Sequence, residues 1–246
     1  MVGAERFRRA LGAVAIALLL TVVGGADSMP AHGEPLDDLL PNTHIRLTAE
    51  PAPAPVPSEG RFPVSLRLAG SIWTDDESHP SAATEVRFDL ARPYRLDLAG
   101  IPVCKNRGGR ATGRDVSPCD VGEVARGRIG VEVLFPEQPP LTVAGEAVAY
   151  KTGPRTLAVW AYLPAPITGA FLLPVKIGSN RGGPYGPRFT VAIPKIAGGS
   201  GSLTYLGLRF RKGLFSLACP HGRLQSRLTD TFADGTQLAG ALITTC

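Results

Sequence analysis

Histidine, methionine and tryptophan are scarce in this chain: four, two and two among 246 residues. The histidines stand apart, at His32, His44, His79 and His221, and no C-x-x-C occurs. That spacing supplies no metal-ligand cluster, and no metal or other cofactor is expected. Helical periodicity is missing as well. No stretch of about a dozen residues repeats its apolar side chains at helical spacing. Beyond residue 26 no apolar run is long enough to span a bilayer. Basic residues exceed acidic ones by 26 to 21, a formal charge of +5. The excess is too mild to point to nucleic acid.

What is present begins with a leader-like start. Arg6, Arg8 and Arg9 precede an uncharged apolar run from Ala10 to Ala26. The run is about 17 residues, and small residues at Gly24 and Ala26 suit a cleavage site, so residues 1–26 are expected to be a signal peptide. The competing reading is an uncleaved anchor. Its removal takes three arginines and one glutamate, so the charge falls from +5 to +3. Residues 27–60 end in "AEPAPAPVPSEG" and read as a disordered Pro/Ala-rich tether. Export makes disulfides of Cys104, Cys119, Cys219 and Cys246. Of the three possible pairings the local one, Cys104–Cys119 with Cys219–Cys246, is expected. Each bridge would contribute roughly 3 kcal/mol in the chain-entropy account.

Residues 61–246 read as one β domain. Val64-Leu66-Leu68, Val86-Phe88-Leu90, Ile129-Val131-Val133, Leu157-Val159-Ala161 and Leu206-Leu208-Phe210 all alternate, with Gly or Pro clusters between the runs. About eleven short strands in one domain predict a two-sheet antiparallel β-sandwich, jelly-roll or immunoglobulin-like, with a β-barrel as the alternative. Asp234-Gly235 signals a closing hairpin. A two-residue turn there pairs Phe232 with Gln237 and Leu228 with Ala241, and gathers Phe232, Leu228, Leu224, Ala239, Ala241 and Ile243 on one dry face. Leu238 and Leu242 do not fit that sorting. A flat hairpin at "PHGR" would hold Cys219 and Cys246 about 9 to 10 Å apart, so a corner is expected there.

The search for chemistry returns mostly turns. Gly108 and Gly113 have phosphate-loop spacing, but Arg114 and Asp115 stand where Lys and Ser or Thr are needed. "GGSGS" at 198–202 lacks the last glycine of a nucleophile elbow, and Ser200 reads as a turn residue. "TDDES" at 74–78 reads as an acidic hairpin tip rather than a calcium loop. No catalytic residue is assigned. Two kinds of binding surface stand out. Lys105, Arg107, Arg110 and Arg114 in the loop between Cys104 and Cys119 would attract a polyanion by charge. Trp160 and Tyr162, and separately Tyr205, Arg209 and Arg211, occupy the strand faces opposite their apolar neighbours. Trp160 and Tyr162 make their strand apolar on both faces, expected first as buried core and otherwise as half of an aromatic binding surface, while the Tyr205, Arg209 and Arg211 stripe would suit an anionic sugar or peptide.

"GSIWTDDESHPSAATEVRFDLARPYRLDLAGIPVC" resembles the start of a family of uncharacterised secreted proteins from actinobacteria. The shared step G-[LI]-P-x-C is matched by Gly100, Ile101, Pro102 and Cys104, and the following V-G by Val121 and Gly122 after Cys119. "GGSGSLTYLGLRFRKG" and "CPHGRL…FADGT…C" resemble its closing signature. The likeness covers about residues 62 to 246. It implies export and an all-β fold and implies no activity. The expected function is therefore a secreted or cell-surface module that binds a cell-wall polymer or a surface protein, off the membrane once its leader is cut. The alternative is an extracellular hydrolase, a two-carboxylate glycosidase above all.

Overall fold

The structure, a computed structural model, describes residues 42–105, 119, 121–180 and 182–245. They form twelve strands: β1 (Thr43–Ala52), β2 (Phe62–Thr74), β3 (Ala83–Ala91), β4 (Arg95–Leu96), β5 (Glu123–Val133), β6 (Leu141–Gly153), β7 (Thr156–Leu163), β8 (Gly169–Ser179), β9 (Tyr185–Ala192), β10 (Gly201–Leu217), β11 (Arg223–Phe232) and β12 (Gln237–Thr245). The all-β expectation holds. The division into two sheets does not appear in the hydrogen bonding. A single path runs β1-β2-β10-β5-β6-β7-β8-β9-β3-β11-β12, with β4 paired to the end of β10. The sheet curls until β1 and β12 lie side by side, a nearly closed barrel.

Parity sets the direction of the two edge strands. The path holds eleven strands and every neighbouring pair is antiparallel. An odd number leaves β1 and β12 running the same way. Their contacts agree: Thr244 Oγ1 donates to the Ala49 carbonyl at 3.5 Å, and four residues back Gly240 faces Ile45. No ladder joins them among the described residues. Inside, facing walls meet. Phe189 of β9 and Phe210 of β10 lie 6.2 Å apart, and Phe215 packs against both. A small apolar cavity of about 40 Å³ remains among Leu68, Phe88, Val159, Phe189, Leu208 and Phe210.

Three local expectations change. The sheet starts at Thr43, within the stretch expected as tether, because Ile45, Leu47 and Ala49 alternate and are buried. The last hairpin is slipped by one residue: Thr231 faces Gln237 and Leu228 faces Gly240. Gly235 donates to the Phe232 carbonyl at 3.0 Å, and Phe232 donates to that of Thr236 at 2.9 Å. With Gly235 at φ 86°, this is a three-residue loop with Gly in the left-handed region. The slip turns β12 over, so Leu238 and Leu242 enter the core while Ile243 is 55% exposed. Residues 75–82 are no hairpin tip either, since β2 and β3 are not neighbours. The corner at "PHGR" does form: β10 and β11 lie on different parts of the wall.

Candidate functional site

Alternation along β10 turns Leu206, Leu208 and Phe210 inward and Tyr205 and Arg209 outward. Strand order then decides what lies beside them. Arg209 is directly opposite Arg67 of β2 on one side and Arg126 of β5 on the other. Like charges in register repel. The outer flanks soften this. Glu50 lies opposite Arg67 and reaches it at 3.5 Å, and Arg126 is held by Glu123 at 2.7 and 3.2 Å. The Tyr205 hydroxyl bond and the nearby Glu50 raise the Arg67 pKa, and the Glu123 bond does the same for Arg126. Arg209 is exposed and has no ion pair among the described residues.

The same row continues through Val148 of β6 to Trp160 of β7. The row beside it runs Gly207, Arg128, Glu146, Tyr162. The two stripes singled out from sequence thus share one outer face. Tyr162 and Arg209 stand on β7 and β10, three strand spacings apart, about 14 Å. Between them Arg126, Arg128, Glu146, Tyr162 and Pro164 line a groove of about 500 Å³. Its floor needs glycine: a Cβ on Gly145 would collide with the Tyr162 carbonyl. Tyr205 lies across Gly207, where a Cβ would meet its hydroxyl.

Not every expected residue reaches this face. Trp160 is buried and stacks on Tyr162 with ring centroids 6.0 Å apart, beneath Cys104 and beside Val148 and Tyr150. It supports the groove without facing it. Arg211 is exposed but sits where the pairing of β10 is interrupted between Phe210 and Phe215, off the arginine row. Cys104 and Cys119 are bonded, with Cα atoms 5.8 Å apart. Lys105 is exposed. Arg107, Arg110 and Arg114 lie outside the described residues. Cys219 is disulfide-bonded, and its expected partner Cys246 lies outside them too. Sequence reading missed Arg67, Arg126 and Arg128, whose only signal is alternation on strands distant in the chain.

A second cluster was missed entirely. Residues 75–82 strap over β10 and β5. There His79 Nε2 lies 3.0 Å from Ser202 Oγ and His79 Nδ1 lies 2.9 Å from Glu132 Oε1. The order is that of a nucleophilic triad. Two facts speak against reaction. Ser202 is only 1% exposed. Its hydroxyl also donates to the Pro80 carbonyl at 2.7 Å. A hydroxyl has one hydrogen, and the Pro80 bond withholds it from His79. The cluster therefore clasps the strap to the wall. Nearby, the Asp76 carboxyl is held down at about 2 by hydrogen bonds from Ser78 and Asn42, and Asp75 meets His44 at 2.8 Å.

Comparison with protein-family models, with curated proteins and with solved structures gives no match to this chain.

Proposed function

We propose that the chain is an exported, disulfide-tied binding module, without catalysis, that holds an anionic cell-wall glycan across the outer face of β2, β10, β5, β6 and β7. The observation that carries this is the in-register row Arg67, Arg209, Arg126. Glu50 and Glu123 compensate the outer two, and Arg209 between them is left with no carboxylate among the described residues, a charge that a bound polyanion would meet. Tyr162 at the far side of the groove offers a ring for a sugar face. The groove carries one carboxylate, Glu146, where glycoside hydrolysis takes two. The leader-like residues 1–26 and the resemblance to secreted actinobacterial proteins agree with a cell-surface site. We read the sheet as a flattened barrel whose halves face each other as a sandwich would. Eleven strands in a round section would enclose more space than side chains fill.

Retention of the mature protein on isolated cell walls tests the proposal. Replacing Arg209 and Arg128 together with alanine should weaken retention by about tenfold and flatten its salt dependence. Equal retention by parent and variant at every salt concentration would overturn it.

A further inference from the structure

One end of the barrel collects positive charge around a cavity. The turn after β3 brings Arg92, β4 brings Arg95, and the β6–β7 turn brings Arg155. With Leu96, Leu98, Ile177, Asn180 and Tyr185 they line a space of about 490 Å³, within the range of small-ligand sites. The frame is tied by backbone bonds: Arg92 donates to the Pro184 carbonyl at 2.7 Å, and Ile177 to that of Arg155 at 2.8 Å. Arg95 Nη1 donates to the Arg92 carbonyl at 2.9 Å, which fixes its guanidinium at the rim.

No ion pair involves these three arginines among the described residues. The adjacent carboxylate, Asp89, is already taken. Fully buried, it accepts from Arg188 at 2.6 Å, Arg227 at 2.8 Å and Asn180 at 2.9 Å, with Arg87 at 3.8 Å. Burial pushes its pKa up, but those hydrogen bonds outweigh burial and hold it below the usual carboxylate range. Three arginines around one carboxylate leave the clasp itself positive. Asp97, next in the chain to the rim, accepts the Ala99 amide at 2.8 Å and does not line the cavity. The field is felt at Arg61, which bonds the Pro93 carbonyl. Burial and the Arg95 charge lower its pKa.

We propose that this barrel end is a second, concave binding site, for a compact ligand bearing a phosphate group. Three guanidiniums on three separate elements suit a tetrahedral dianion, which offers acceptors in several directions. A planar carboxylate matches one fork. Asn180 and Tyr185 are held by the Asp89 clasp, with Arg227 stacked 4.7 Å over the Tyr185 ring. They would meet the body of the ligand.

Calorimetry on the mature protein with inorganic phosphate and with glycerol 3-phosphate tests this. Both should bind saturably, and acetate should not displace them. Arg155→Gln and Arg92→Gln, each on an exposed turn, should weaken binding by about tenfold while unfolding cooperatively at the parent midpoint. Their retention on cell walls should match the parent, which separates this site from the outer face. Non-saturable phosphate binding, equal binding by the variants, or acetate binding as tightly as phosphate would overturn the proposal.

Discussion

Asp230 points inward from β11 and is buried, with its Oδ1 unbonded among the described residues. It borders a cavity of about 30 Å³ with Gly70, Ser71, Thr204 and Leu228. Burial lifts its pKa from 3.8 to about 7. The folded state therefore holds a proton that the unfolded chain releases near its ordinary value. The stability this contributes is fully present below about pH 4 and is lost as pH rises through about 7. Denaturant titrations at pH 5 and pH 8 should show the parent weaker at pH 8. Asp230→Asn should remove most of that difference, gaining up to about 4 kcal/mol at pH 8. A variant with the parent's pH profile would mean that Asp230 stays ionised in the fold.

At the scale of elements, the strap over β10 and β5 depends on His79. Replacing His79 with alanine removes its bonds to Glu132 and Ser202 and should cost about 1 to 3 kcal/mol. Hydrogen exchange should quicken in residues 75–82 and leave β6 and β7 unchanged. Exchange unchanged in the strap would show that the clasp holds nothing. A fluorophosphonate probe should leave Ser202 unlabelled, and stoichiometric labelling would restore the hydrolase reading.

The elements themselves were largely legible, because alternation is local. Val64-Leu66-Leu68 and Leu206-Leu208-Phe210 announce β2 and β10 directly. The closing hairpin shows the limit. Asp234-Gly235 is compatible with a two-residue or a three-residue loop, and the choice turns a whole strand over. Leu238 and Leu242 carried the correction, since two leucines on the wet face of the assumed pairing are better explained by the other register. In β1, Ile45-Leu47-Ala49 is equally regular but is followed by prolines that suggest a tether. The site was half legible. Tyr205 with Arg209 and Trp160 with Tyr162 could be read from their own strands. The residues beside them could not. Arg126 meets Arg209, and His79 meets Ser202, only once strand order places segments from opposite ends of the domain together.

For the whole molecule, the unladdered seam between β1 and β12 marks where the barrel is weakest. Amides of β1 and β12 that face each other lack ladder partners, whereas β5 and β6 are paired on both sides. Exchange should therefore be fastest along that line and slowest in β5 and β6. Uniform protection around the wall would mean a fully bonded barrel.

The same seam decides how the domain bears mechanical load. β1 and β12 run side by side in one direction, so Thr43, which starts β1, and Thr245, which ends β12, lie at opposite ends of the barrel. No ladder spans the seam among the described residues, so most of the tension between them passes round the wall. It then pulls β1 lengthwise against β2, over ten register pairs, and β12 lengthwise against β11, over nine. Bonds sheared in this way share the force and give way together rather than one by one. A wall that fails to close can still resist being drawn out by its two ends.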